Sequence, residues 1–338
     1  MPYKTLLSIK DRDFSDKKVL VIGAGWMAEQ YCQALAQMGI RNVCVVSRSE
    51  KSVRICCKKF GFQPFHGGYE KCLPELGTFG LVIVATPVHD LKPAAMRAVE
   101  CGNKNILVEK PASLYSSELF EWAKQSDVLN ARIRIAYNRL AYPNLWKLKE
   151  LVQSEGGVTS CRYTFTELVH TINFNNNEPD VYQRWGISNS LHVISMAHEL
   201  IGMPEEIRTF CFGELEWHPI GSCFVGGGYT HKNIPFSYHA DWQSAGRWGI
   251  EVMTPQNAYR LIPLEQLYQC RKGSFNWELV ETTSAFPELK QGIAEQTAIM
   301  LCPEMEQVIP LVTIAQAAEY TKLAEQIFGY TSSKIQPS

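Results

Sequence analysis

The first 137 residues alternate short, unbroken apolar runs with amphipathic stretches. No other feature of the sequence restricts the fold as much. KVLVIG (18–23), NVCVV (42–46), LVIVA (81–85), NILVE (105–109) and RIRIAY (132–137) read as strands, with QPFH (63–66) as a short extended piece that fits a third strand. Residues 27–38, 52–60, 92–101 and 116–125 read as helices between them. A strand that is apolar throughout has both faces covered, which is the habit of parallel sheets with helices on either side. The repeated strand–helix order predicts an α/β fold, a doubly wound Rossmann sheet.

The pattern changes near residue 151. Residues 161–166, 207–212, 237–242, 249–253 and 258–261 alternate apolar and polar side chains, as antiparallel strands with one covered face do. A helix over 190–201 stops at Gly202 and Pro204, and 311–328 is strongly helical. NFNNNEPD (173–180) reads as a polar loop, and Gly226-Gly227-Gly228 as another. At about 150 residues per domain, 338 residues make two. The first is a dinucleotide-binding domain over 1–140. The second is a substrate-binding and oligomerisation domain over 141–338, with a large, open, mostly antiparallel sheet. The 311–328 helix is expected to pack back on the first domain.

Charge narrows the function. Lys plus Arg is 33 and Asp plus Glu 34, a formal charge of -1, which offers no footprint for nucleic acid. No apolar run nears the roughly 18 residues of a membrane helix. The first residues, MPYKTLLSIKDRDFSD, lack the apolar core of a secretory leader, so the expectation is a cytoplasmic protein. The eleven cysteines are irregularly spaced, with no CxxC, and predict reduced, mostly buried thiols and no metal site.

The chemistry-bearing residues fall where these strands end. The first strand runs into Gly23-Ala24-Gly25-Trp26-Met27-Ala28, a G-x-G-x-x-A turn that opens a helix. Gly23 permits the tight turn, Gly25 lets a pyrophosphate approach the backbone, and Ala28 lets helix and strand pack closely. Trp26 and Met27, at the helix start, join the predicted coenzyme contacts. The second strand ends in Ser47-Arg48-Ser49, with no carboxylate before Glu50. A hydroxyl and a guanidinium attract a 2′-phosphate, so NADP(H) is preferred and NAD(H) is the alternative. Glu109-Lys110-Pro111 closes the fifth strand, which puts Lys110 in the crevice where ligands bind in such sheets. Asn138 and Arg139 follow the next strand and are candidates for coenzyme and substrate respectively.

These signals, in this order, resemble the Gfo/Idh/MocA oxidoreductase family. The resemblance rests on VIGAGWMAEQY, on ATP at Ala85-Thr86-Pro87, on VEKPAS at 108–113, on AYNRLAYP at 136–143, and on SNSLHV (188–193) followed by Leu200-Ile201-Gly202. It implies that Ala85, Thr86 and Pro87 lie along the coenzyme and that Glu109 shapes its nicotinamide end. It also implies that Lys110 sits near nicotinamide and substrate, and that His192 donates or accepts the proton. The family's helix commonly reads D-x-G-x-H-x-x-D; here Ser188 and Ser195 take the two Asp positions, with Asn189 next door as a neutral replacement. N-S-x-H after a loop bearing Trp185 is similar to members of bacterial surface-polysaccharide clusters, which implies a sugar or nucleotide-sugar substrate. Arg184 and Trp185 are candidates to hold a phosphate and stack on a sugar. The segment DWQSAGRW, with Trp242, Arg247 and Trp248, is expected to pack in the sheet or across a dimer.

The implied reaction passes hydride between nicotinamide and a carbonyl or hydroxyl carbon. In reduction, His192 as imidazolium protonates the oxygen while Lys110 stabilises its charge; oxidation reverses the roles. His198, six residues on, faces away from His192 and reads as structural or exposed. The free face of the second sheet implies a homodimer or homotetramer. Two other readings stay open: a non-catalytic dinucleotide-binding regulator, which loss of the Asp at Ser188 favours, and an NAD-dependent glycosidase.

Overall fold

The computed structural model describes residues 1–331; the last part of the second domain drawn from the sequence, 332–338, lies outside the described residues. Six strands, β1 (Lys18–Ile22), β2 (Asn42–Ser47), β3 (Gln63–His66), β4 (Leu81–Val84), β5 (Asn105–Glu109) and β6 (Arg132–Ala136), form a parallel sheet in the order β3-β2-β1-β4-β5-β6. Val19 to Ile22 and Leu81 to Val84 are essentially inaccessible to solvent. That complete burial is why these strands are apolar at every position. Strand order reverses between β1 and β4, and the crevice outside their carboxyl ends is where such sheets bind ligands.

The second sheet has eight strands: β7 (Ser160–Phe165), β8 (Pro204–Phe212), β9 (Cys223–Thr230), β10 (Pro235–Asp241), β11 (Trp248–Met253), β12 (Asn257–Leu261), β13 (Leu267–Arg271) and β14 (Glu278–Val280). Their order is β14-β13-β12-β11-β7-β10-β9-β8, antiparallel except where β10 runs parallel to β7. In β10, Phe236, Tyr238 and Ala240 are buried while Ser237 and His239 face out, the expected period of two.

The glycine triplet is a correction to the sequence reading. Gly226, Gly227 and Gly228 lie inside β9, not in a loop. Side chains there would collide with the carbonyls of Arg208, Phe236 and Glu206 on the flanking strands. The missing Cβ atoms are what allow β9 to fit between β8 and β10.

The last helix, Ile314–Phe328, starts at Thr313, whose hydroxyl accepts from the Gln316 amide while Gln316 accepts from the Thr313 amide. It packs along the helix Ser116–Asp127 of the first sheet's layer, and the Ile135 amide donates to the Val312 carbonyl just before it. Glu325 on this helix is buried and accepts from Arg184 at 2.9 Å and from the Ser116 amide at 3.0 Å. All eleven cysteines are unbonded, six of them buried. Among the described residues no helix is long and apolar enough to cross a membrane.

The Arg184–Glu325 pair is out of water, so removing one partner strands a buried charge. Arg184→Met is expected to lower the unfolding free energy by about 3 kcal/mol, and a further Glu325→Leu change to recover much of that loss. Urea denaturation of the three proteins checks it; equal stability for Arg184→Met and the parent would contradict the account.

Candidate active site

The turn after β1 shapes a groove. Gly23 has φ of 125°, its amide donates to the Val46 carbonyl at 2.8 Å, and a Cβ there would strike the Ala85 carbonyl. Gly25 is the opposite case: a Cβ would meet nothing within 4 Å. It begins the helix Trp26–Gln37 without any side-chain cap, so the first amides of that helix have no capping side chain and are available to an anion. The resulting groove, about 640 Å³, is bordered by Gly23, Gly25, Trp26, Met27, Ser47, Arg48, Ala85, Thr86 and Pro87. Every residue assigned from the sequence to the pyrophosphate and adenosine side is therefore in one place. The Thr86 hydroxyl is buried there with no protein partner, and Arg48 is exposed at the rim, 3.9 Å from Asp90. Open space at Gly25, uncapped amides and an orphaned hydroxyl fit a dinucleotide. Asn138 is not on this surface; its amide donates to the Gln291 carbonyl at 3.0 Å.

At the end of β5, Glu109 is buried and accepts from the Tyr31 hydroxyl at 2.6 Å, which in turn accepts from Gln296 Nε2 at 2.7 Å. Burial pushes the Glu109 carboxyl up, while Tyr31 and Lys110 pull it down. Lys110 Nζ donates to the Ser188 carbonyl, and burial pushes its ammonium down to about 8 against the pull of Glu109. Ser188 lies four residues before His192, so this bond brings the two predicted catalytic groups together.

His192 is buried, and its Nδ1 has no hydrogen-bond partner. Burial first, then the charges of Lys110, Arg139 and Lys290, holds it well below the ordinary imidazole range. These surroundings favour the neutral ring, the proton-accepting form that the oxidation direction calls for. His198 is buried and structural, with Nδ1 2.8 Å from the Gly202 carbonyl and Nε2 3.2 Å from the Tyr163 hydroxyl.

A π-helical turn, Gly186–Ser190, leads into the helix Leu191–Ile201. Such turns are rare and concentrate at functional sites. Gly186 is required here because the Phe328 ring occupies the place of a side chain. Beside the turn lies a cavity of about 310 Å³ lined by Arg139, Glu167, Trp185, Asn189, Arg247, Trp248 and Glu265, among others. The Arg139 guanidinium lies 4.9 Å from the centre of the Trp248 ring, and that ring is 6.0 Å from His192. Arg139, Trp185 and Asn189, the substrate candidates from the sequence, thus line one cavity. Arg184 is not: besides Glu325, it donates to the Leu114 carbonyl and stacks on Tyr115. The Ser188 hydroxyl is turned towards the Val181 carbonyl, at 3.2 Å.

Most of the cavity lining carried no functional assignment from the sequence. Arg247 and Trp248, expected to pack in the sheet or across a dimer, also line the cavity, Trp248 from the start of β11. Glu167 is buried, accepting from Ser190 Oγ at 2.5 Å and Asn189 Nδ2 at 2.7 Å. Burial pushes its carboxyl up to about 7 despite those bonds. Its only sequence signal is a carboxylate directly after an alternating strand, a common surface arrangement.

A glycine-turned groove, a buried lysine and histidine close enough to influence each other, and a cavity beside the π-helical turn fit a nucleotide-dependent oxidoreductase. Residues 17–137 match the Gfo/Idh/MocA oxidoreductase family, described as having an NAD-binding Rossmann fold; the match covers the first sheet and its helices. Over the whole chain, three solved structures share the fold. The UDP-N-acetylglucosamine 3-dehydrogenase GnnA of Acidithiobacillus ferrooxidans superposes with a TM-score of 0.71 at 14% identity, covering 94% of this chain and 98% of its own. A levoglucosan dehydrogenase in complex with NADH and levoglucosan gives 0.72 at 17%, covering 92% and 96%. An oxidoreductase from Agrobacterium radiobacter with NAD+, L-tartaric acid and magnesium gives 0.73 at 13%, covering 92% and 94%. A shorter sequence match, 28% over 81 residues, links 24% of this chain to 18% of a glutamyl-tRNA reductase from Saccharolobus islandicus.

Gly25→Val separates coenzyme from fold. The open space tolerates the side chain, so Tm is expected within about 2 °C of the parent. Coenzyme affinity is expected to fall at least about tenfold. Calorimetric titration and thermal unfolding of the same variant check both halves.

Proposed function

We propose that the protein is an NADP(H)-dependent oxidoreductase acting on a hydroxyl or carbonyl carbon of a sugar or nucleotide sugar. The observation that carries this reading is the burial of Lys110 and His192 within reach of each other's charge, with Lys110 bonded to the Ser188 carbonyl. The nicotinamide coenzyme, when bound, supplies the hydride acceptor or donor. Gly25 and the uncapped amides hold its phosphates, while Ser47 and Arg48 offer a hydroxyl and a cation at the position of a 2′-phosphate. Neutral His192 takes the proton from a substrate hydroxyl. The Lys110 ammonium stabilises the negative charge that grows on that oxygen. Trp185 and Trp248 give the cavity flat apolar walls suited to a sugar ring.

Sugar and nucleotide-sugar dehydrogenases among proteins of the same fold support this substrate class. The protein acts in the cytoplasm, in keeping with its unpaired thiols. It assembles as a homo-oligomer through the open sheet, where Phe210 and Phe212 of β8 are more than half exposed. The division at residues 140/141 puts most of the groove on one side and most of the cavity on the other, with Asn176 and Asn177 bordering the groove and Arg139 the cavity from across it.

Turnover is tested with levoglucosan and UDP-N-acetylglucosamine, each with NADP+ and NAD+. Lys110→Met and His192→Asn are expected to keep coenzyme affinity within a few-fold and to lose about 100-fold or more in kcat. Because the Lys110 ammonium is lost as pH rises through about 8, kcat should fall above that pH. Arg48→Asp should weaken NADPH binding about tenfold or more relative to NADH. Full turnover in Lys110→Met or His192→Asn would remove that residue from the reaction, and unchanged selectivity in Arg48→Asp would end the NADP(H) preference.

A further inference from the structure

We propose that Glu167 reads the substrate: as a carboxylate, it accepts a hydrogen bond from a second hydroxyl next to the reacting carbon, so the site selects polyols with neighbouring hydroxyls. The inference deepens the sugar reading above and rests on it.

The argument begins with what a buried carboxylate needs. Taking Glu167 out of water is costly unless donors replace the lost solvent. Ser190 Oγ and Asn189 Nδ2 donate one bond to each oxygen, and the Trp185 ring N–H also lies close enough to favour the charged form. An ionised carboxylate has about four acceptor positions, so at least one remains for a further donor. Glu167 also lines the cavity. Its spare lone pairs therefore meet whatever fills that space, and an acceptor-only group demands a donor.

The surrounding charges agree with this role. Lys110 favours the ionised form of Glu167 from the end of β5, and Tyr330 packs from beyond the last helix. Across the cavity, Arg139 is 3.9 Å from Glu265 and already shares its charge. Arg247 and His170 stand at the outer mouth, which Glu167 also borders. Lys110 is thus close enough to influence both Glu167 and His192. A substrate whose reacting oxygen sits at Lys110 and His192 presents its adjacent hydroxyl towards Glu167.

A bare anchoring role, in which Glu167 only fastens the helix through Asn189 and Ser190, leaves a cavity-facing carboxylate unexplained. A neutral glutamine offers one acceptor oxygen and two donors, whereas both bonds made to the helix need acceptors. The two roles also differ in pH behaviour. If the ionised form binds substrate, binding is weak below about 7 and strengthens as pH rises through that value. An anchor imposes no such dependence on substrate affinity while coenzyme affinity stays constant.

The test is kcat/KM against pH for levoglucosan and UDP-N-acetylglucosamine in the parent, Glu167→Gln and Ser190→Ala, with coenzyme affinity measured alongside. The parent should lose kcat/KM as pH falls through about 7. Glu167→Gln should lack that acid limb and be about 10- to 100-fold weaker above neutrality, chiefly in KM. Ser190→Ala removes a bond that favours the carboxylate, so its limb should move to higher pH. An acid limb retained in Glu167→Gln would overturn the proposal while leaving the sugar reading intact, as would a Ser190→Ala limb that does not move. The second criterion holds even if Glu167→Gln does not fold. Failure of the parent to bind or turn over either probe would overturn the sugar reading and this inference together.

Discussion

Glu109 must be buried, and much of the molecule is arranged around that requirement. It closes β5, directly before Lys110. Tyr31 comes from the helix that the glycine turn launches, and Gln296 from the helix Ile293–Leu301. The bonds among the three tie the groove, the reacting end of β5 and a late segment of chain to one buried carboxylate. Low local dielectric strengthens these bonds and raises the cost of leaving any of them unmade. The position of Lys110, one residue further on, follows from how firmly Glu109 is held.

The same dry junction sets the proton chemistry. Cations at Lys110, Arg139 and Lys290 surround His192, and burial adds to their effect. The ring stays neutral where an exposed histidine would be near its midpoint. Lys110 feels burial too, but Glu109 and Glu167 keep its ammonium from falling further. One base and one acid thus coexist within a small volume because their environments push them apart. The orphaned Nδ1 of His192 and hydroxyl of Thr86 are what a site built for ligands leaves behind without them.

The first sheet was legible because complete burial leaves a plain sequence mark, unbroken runs such as 81–84. The groove was legible because Gly23 and Gly25 answer steric demands only glycine meets. Lys110 was legible from its place at a strand end, and His192 chiefly through the family resemblance. What could not be read shares one cause: a contact made across long separation. Gly226 to Gly228 look like a loop until β8 and β10 close in on both sides. Arg184 looks free until Glu325, 141 residues away, meets it. Glu167 looks like a surface acid until the π-helical turn delivers two donors to it.

The Phe328 ring fills the space a side chain at Gly186 would need, and Glu325 neutralises Arg184 just before the same turn. The turn beside the cavity is therefore held in place by the helix Ile314–Phe328. Nucleotide-binding architecture can assemble early in synthesis, since domains fold as units from the amino terminus. A nascent chain that has not yet released residues 314–328 has the groove but lacks the packing partner of the Gly186–Ser190 turn. Ordering of that turn therefore waits on chain made well after the groove.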